Sequence, residues 1–148
     1  MLLLATGSVL AEDAGARLVA AATSGRALEV RDLLTEGVDA NTKNASGRPV
    51  ILLAGFNGNR RTVRALLAAG ADPNAVDATG TSALIAASAL GHSEVVDLLI
   101  TAGADVNLKD GAGKSALARA SLRGHTRVVE ALKAAGAVEE EAAAAAEK

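Results

Sequence analysis

The run Asp110-Gly111-Ala112-Gly113-Lys114-Ser115 carries the residue types that cradle a phosphate: glycines that bare backbone N–H groups, then a lysine and a hydroxyl. A phosphate loop also needs a glycine five residues before the second one. That place is Leu108, and no buried strand leads into the run. Just upstream, Asp105-Val106-Asn107-Leu108-Lys109-Asp110-Gly111 alternates oxygen donors ahead of a glycine, as the front of a calcium loop does. The twelfth place, where a bidentate glutamate would close the cage, is Ala116, and Lys109 puts a cation among the ligands. His92 and His125 are the only histidines and there is no cysteine, so a zinc ion shared between them would lack further ligands. Ser93 and Asp97 flank His92, but a triad needs a pocket and an oriented base, and nothing in the pattern supplies them. The expectation is no catalytic residue, no metal and no cofactor.

A simpler order explains these residues. Gly25, Gly58, Gly91 and Gly124 stand 33 residues apart. Gly37, Gly70, Gly103 and Gly136 keep the same step, as do Gly47, Gly80 and Gly113, and Asn41, Asn74 and Asn107. Gly113 and Ser115 are then the repeat of Gly80 and Ser82. One small unit is copied along the chain, and since a single copy cannot bury its own apolar face, the copies must stack into a solenoid.

The unit reads as two helices and a turn. In the copy from Asp77 to Lys109, Ser82 is a hydroxyl N-cap for Ala83-Leu84-Ile85-Ala86-Ala87-Ser88, and Gly91 closes the stretch. A second stretch opens at Ser93 and ends at Gly103, with Val96, Leu99 and Ile100 on one helical face. Val30/Leu33/Leu34 and Val63/Leu66/Leu67 repeat that face. The fourth copy has Val129 and Leu132 and then Lys133, as suits a terminal unit with no neighbour to pack against.

Composition fits thin, closely stacked helices. Half of the 148 residues are apolar, yet Phe56 is the only aromatic, so the core is aliphatic. The net charge of −2 with interspersed signs argues against nucleic acid or an anionic membrane as partner. Arg48, Arg60, Arg61 and Arg64 outnumber Asp72 in the unit from Asn44 to Val76, read as a solvated face rather than a phosphate-binding stripe. Asn44-Ala45-Ser46 is a glycosylation sequon, meaningful only on a eukaryotic secretory route.

Gly80-Thr81-Ser82-Ala83-Leu84-Ile85-Ala86-Ala87, Gly91-His92-Ser93-Glu94-Val95-Val96-Asp97-Leu98-Leu99 and Gly103-Ala104-Asp105-Val106-Asn107 together resemble an ankyrin repeat. The resemblance covers four copies, from about Ala16 to Ala137. It implies an all-α, ankyrin-repeat solenoid of stacked helix-turn-helix units with projecting hairpin loops, whose role is to bind another protein. The expected repeats span 12–43, 44–76, 77–109 and 110–138. The family's Thr-Pro-Leu-His start is degenerate here: its histidine is replaced by Val19, Leu52, Ile85 and Ala118. Looser hairpins than the family norm are expected from that loss.

On the resemblance, a partner protein sits on the concave face and the hairpin tips. The residues placed there are Arg48, Phe56 and Asn57, then Thr79, Thr81 and Leu90, then Lys114, Leu122 and Arg123. Phe56, Leu90 and Leu122 are large apolar groups at slots expected to face solvent, flanked by Arg48 and Arg123; Phe56 is the expected anchor. The chain is expected to act as a monomer, without inserting into a membrane.

Residues 1–11 form an apolar run ending Val9-Leu10-Ala11, followed by Glu12-Asp13. Small residues before charges resemble the end of a secretory signal peptide, although the basic start is missing. A capping helix on the first repeat is the alternative. The first reading implies a periplasmic or secreted protein, the second a cytoplasmic one. Residues 139–148 form a Glu/Ala-rich tail with helix-forming composition.

Overall fold

The computed structural model describes residues 2–139, with side chains described from Asp13 onward. The described chain is a row of four helix pairs. Their elements are α1 (Leu2–Thr23) with α2 (Ala27–Thr35), α3 (Val50–Phe56) with α4 (Arg60–Ala68), α5 (Ala83–Leu90) with α6 (Ser93–Thr101), and α7 (Ala116–Leu122) with α8 (Thr126–Ala134). Helix α1 runs without a break through Ala11, so the leader-like residues and the first helix of the first unit lie on one element. The tail residues 140–148 lie outside the described chain.

Two layers result. First helices pack in the order α1, α3, α5, α7, and second helices in the order α2, α4, α6, α8. The sequence explains where each helix stops and starts. Ser82 and Ser115 accept from the N–H groups of Ile85 and Ala118 at 3.2 Å, taking up donors that a helix start leaves bare. Gly91 ends α5 in the left-handed conformation (φ 74°, ψ 23°), which lets the chain reverse into α6 within two residues.

The core runs the length of the row between the layers. Val30 and Leu33, Val63 and Leu66, and Val96 and Leu99 are fully buried. The third member of each trio, Leu34, Leu67 or Ile100, is only half-buried and packs against the core from its edge. Lys133 occupies that edge position in the last unit and pairs with Glu139 at 2.6 Å. Val129, whose earlier equivalents Val30, Val63 and Val96 are fully buried, is half-buried, with no further helix pair against it among the described residues. Leu52 and Ile85, at the slots where the family has histidine, are buried, so apolar packing replaces a polar tie at the helix starts.

Between units the chain forms hairpins rather than strands. Single antiparallel bridges close their necks at Lys43 and Pro49, Val76 and Ser82, and Lys109 and Ser115.

Candidate interaction surface

Each hairpin is built around one acceptor at its start. Asn44 Oδ1 accepts from the N–H groups of Ser46 and Arg48 at 3.0 and 2.9 Å. Asp77 Oδ1 accepts from Thr79 N and Oγ1 and from Thr81 N. Asp110 Oδ1 accepts from Ala112 N and Lys114 N, both at 3.0 Å, and its Oδ2 receives Arg119 Nε and Nη2 at 3.0 and 2.6 Å. The phosphate-loop look-alike is thus a turn closed on its own carboxylate: the amides that would hold a phosphate already hold Asp110.

Burial pushes the Asp77 and Asp110 carboxyls up, but the hydrogen bonds and the arginine beside each outweigh it, so both titrate below the usual 3.8. The sign follows. An unfolded aspartate protonates first, so the stability these groups contribute is complete above about pH 5 and is lost as pH falls through 3.8 towards the lower folded values. Asn44 shows that an amide oxygen can organise the same turn without a charge. The double substitution Asp77→Asn/Asp110→Asn is therefore expected to flatten the acid limb of thermal stability between about pH 5 and 3 while leaving the fold intact. Parallel acid limbs for the two proteins in pH-dependent melting would exclude this assignment.

The hairpins are also tied to one another, which corrects the expectation of loose loops. Asn41 Oδ1 accepts from Asp72 N at 2.8 Å, Asn74 Oδ1 from Asp105 N at 2.7 Å, and Asn107 Oδ1 from Val138 N at 3.0 Å. The Asn41 and Asn107 amides also donate, to the carbonyls of Gly70 and Gly136. Gly111 N donates to Thr79 O at 2.8 Å, joining the last two hairpin tips. At the other end of each unit, His92 and His125 reach back to the carbonyls of Phe56 and Ala89, each at 3.0 Å, so Nε2 carries the proton. Asn59 does the same to Ala22 at 3.1 Å. Both histidines join repeats, and among the described residues no group of three or more His, Asp or Glu side chains comes together as a metal site would need. The calcium look-alike is spent in the same manner: Asp105 Oδ1 accepts from Asn107 N, and Asn107 bridges to Val138.

The nine residues placed on the binding face divide into two sets. Arg48 is drawn towards Asp77 of the next hairpin (Nε to Oδ2, 3.8 Å), and Asn57 donates to Thr23 O at 3.1 Å. Thr79 and Thr81 bond to Asp77, and their hydroxyls lie 2.9 Å apart. Lys114 is engaged through its backbone N–H and its carbonyl, both with Asp110. Arg48, Thr79, Thr81 and Lys114 are engaged within and between the hairpins, whereas Asn57 ties the end of α3 to the end of α1 at the other end of the unit. Phe56 (52 % exposed), Leu90 (37 %) and Leu122 (80 %) form the other set, with Arg123 exposed beside Leu122. They stand at the C-terminal ends of α3, α5 and α7, which pack side by side. The hairpin tips Ala45, Ser46, Ala78 and Ala112 are exposed as well. Asn44, Asp77 and Asp110 had not been singled out as the organisers of this face, although their 33-residue step could have identified them.

Stacked helix pairs with cross-tied hairpins and an exposed row of apolar helix ends define a helical-repeat protein of the interaction type. The family description of ankyrin repeats, three copies, matches residues 18–110, and the chain belongs to the ankyrin repeat family. Ankyrin repeats are generally protein–protein interaction modules and typically non-enzymatic. No curated protein matches the chain. Among the described residues no helix is long and apolar enough to cross a membrane.

Proposed function

We propose that this chain is a non-enzymatic binding module that holds a partner protein on its first-helix layer and hairpin tips. The observation that carries this reading is the row of Phe56, Leu90 and Leu122 at the ends of α3, α5 and α7. Apolar anchors ringed by small or polar neighbours are where interfaces concentrate their energy. The alanine and serine tips of the hairpins, at the N-terminal ends of the same helices, leave room for a partner to approach. The bonds among Asp77, Thr79, Thr81 and Arg48 hold the surface in one shape, so little ordering entropy is lost on binding.

Phe56→Ala is expected to weaken partner binding by about tenfold or more, the range of an interface anchor, with melting almost unchanged because the ring is half exposed. A pull-down comparing the wild type with Phe56→Ala/Leu90→Ala/Leu122→Ala checks it. Undiminished partner recovery by the folded triple variant would show that the partner sits elsewhere.

The finer reading is a periplasmic or secreted accessory protein that restrains or protects an enzyme. The apolar run at Leu2–Leu4 and Val9–Ala11 ahead of Glu12-Asp13 supports it. Fractionation with N-terminal mass spectrometry of native protein is the test. An intact Met1 in the cytoplasm would favour a cytosolic scaffold capped by α1.

A further inference from the structure

The second-helix layer carries a feature that neither the core nor the hairpin face uses. An open groove of about 650 Å³ runs between α2 and α4. Half-buried Leu34 and Ala65 lie at its bottom, exposed Ala68 and Ala69 line it, and Leu28 is 74 % exposed beside them. The alanines keep the floor low, so the two helices leave a trough between them. Arg31 from α2 and Arg61 and Arg64 from α4 line its sides, all three exposed. No carboxylate lines this groove, and none of the three guanidinium groups makes an ion pair among the described residues.

The same layer further along is charged differently. There Arg60 faces Glu94 at 3.5 Å, with Asp97 and Arg127 alongside. The positions of Arg31 and Arg64 become Asp97 and Glu130 in the next two repeats. Carboxylates thus stand among the arginines further along the layer, whereas the trough between α2 and α4 is lined by arginines alone among the charged residues.

We propose that this groove docks an acidic amphipathic helix of a partner protein, its apolar stripe on the Leu/Ala floor and its carboxylates on Arg31, Arg61 and Arg64. Helices α2 and α4 have nine residues each, about 13 Å at 1.5 Å per residue, which accommodates two to three turns of a third helix. A helix laid in an apolar groove is read through anchors at i, i+3, i+4 and i+7, which matches a trough with a continuous aliphatic floor. The guanidinium fork pairs with a carboxylate through two parallel hydrogen bonds, so the arginines supply orientation as well as charge. A concave trough with a single large exposed leucine favours such a helix over a lipid surface, which would call for a protruding apolar face. This surface is separate from the Phe56/Leu90/Leu122 row, and either can stand without the other.

The probe is a fluorescein-labelled peptide of about three helical turns, with leucines on one face and glutamates flanking them, titrated against the full chain by fluorescence anisotropy. Binding is expected, and it should weaken steeply as salt rises from about 0.1 M to about 1 M, where the screening length drops from about 10 Å to about 3 Å. Arg31→Gln/Arg61→Gln/Arg64→Gln is expected to lower affinity by about tenfold or more, and Leu28→Ala by about threefold. Both variants should melt like the wild type. A peptide with lysine in place of glutamate should bind Arg31→Glu/Arg61→Glu/Arg64→Glu and not the wild type. Phe56→Ala/Leu90→Ala/Leu122→Ala should bind the probe undiminished, which separates this groove from the hairpin face. The proposal is overturned if the wild type does not bind the acidic peptide, or binds a composition-matched peptide with scattered leucines equally well. It is also overturned if the arginine variant binds as the wild type does, or if phosphatidylglycerol vesicles bind the chain through these arginines while the peptide does not.

Discussion

Leu99→Ala is expected to lower the folding free energy by about 3 kcal/mol, within the range of about 2–5 kcal/mol for truncating a fully buried leucine. Leu99 lies in α6, which packs against α4 on one side and α8 on the other. The void would therefore weaken the third unit and both of its interfaces. In a row of repeats each unit leans only on its neighbours, so damage at an inner position interrupts the stack. Against a total stability of roughly 5–15 kcal/mol for an ordinary domain, such a loss is a large fraction. Urea unfolding followed by circular dichroism should show a lower midpoint. Leu122→Ala, with its side chain 80 % exposed, should stay within about 0.5 kcal/mol of the wild type. A loss below about 1 kcal/mol for Leu99→Ala would mean that the second-helix layer does not form the core.

The next largest effect is expected at a glycine. Gly91 has φ 74°, and a Cβ placed there would lie 2.7 Å from His125 Nδ1. The imidazole cannot simply swing away, because its Nε2 is bonded to the Ala89 carbonyl. Gly91→Ala thus adds the loss of a repeat-joining hydrogen bond, about 1 kcal/mol, to the left-handed backbone cost of about 1–2 kcal/mol. Gly103 isolates the backbone part: its φ is 88°, and nothing stands within 4 Å of an added Cβ. Gly91→Ala is expected to destabilise by about 2–3 kcal/mol and Gly103→Ala by about 1–2 kcal/mol. Their difference in thermal or urea unfolding measures the contact between repeats. Equal losses would show that the histidine contributes nothing to the stacking.

Both predictions concern positions whose importance was visible in the order of residues. Gly91 belongs to a series with a 33-residue step, and Leu99 to an aliphatic trio on one helical face. Such signals are local. A helix start needs a hydroxyl a few residues from a bare N–H, a helix end needs a residue that tolerates positive φ, and a buried stripe needs aliphatics at i, i+3 and i+4. The exposure expected for Phe56, Leu90 and Leu122 was legible for the same reason, since it follows from which face of a short helix a residue occupies.

The polar half of the expected binding face was not legible in that way. Arg48, Asn57, Thr79 and Thr81 look like surface groups available to a partner, yet each has a role inside the stack. Asn57 meets Thr23 across 34 residues, and Arg48 meets Asp77 across one hairpin spacing. The hairpins looked loose because the family's histidine was missing. They are held instead by Asn41, Asn74 and Asn107, whose partners lie 31 residues further on.

The amino-acid order by itself determined the 33-residue unit, the helix pair within it, the caps, the glycine turns and the aliphatic core, because each depends on residues a few places apart. Only the stacked structure decided which polar side chains would be used up between neighbouring repeats, and that three arginines from two helices would gather around one apolar trough. Those outcomes depend on the distance and rotation between successive units, which no short stretch of sequence specifies.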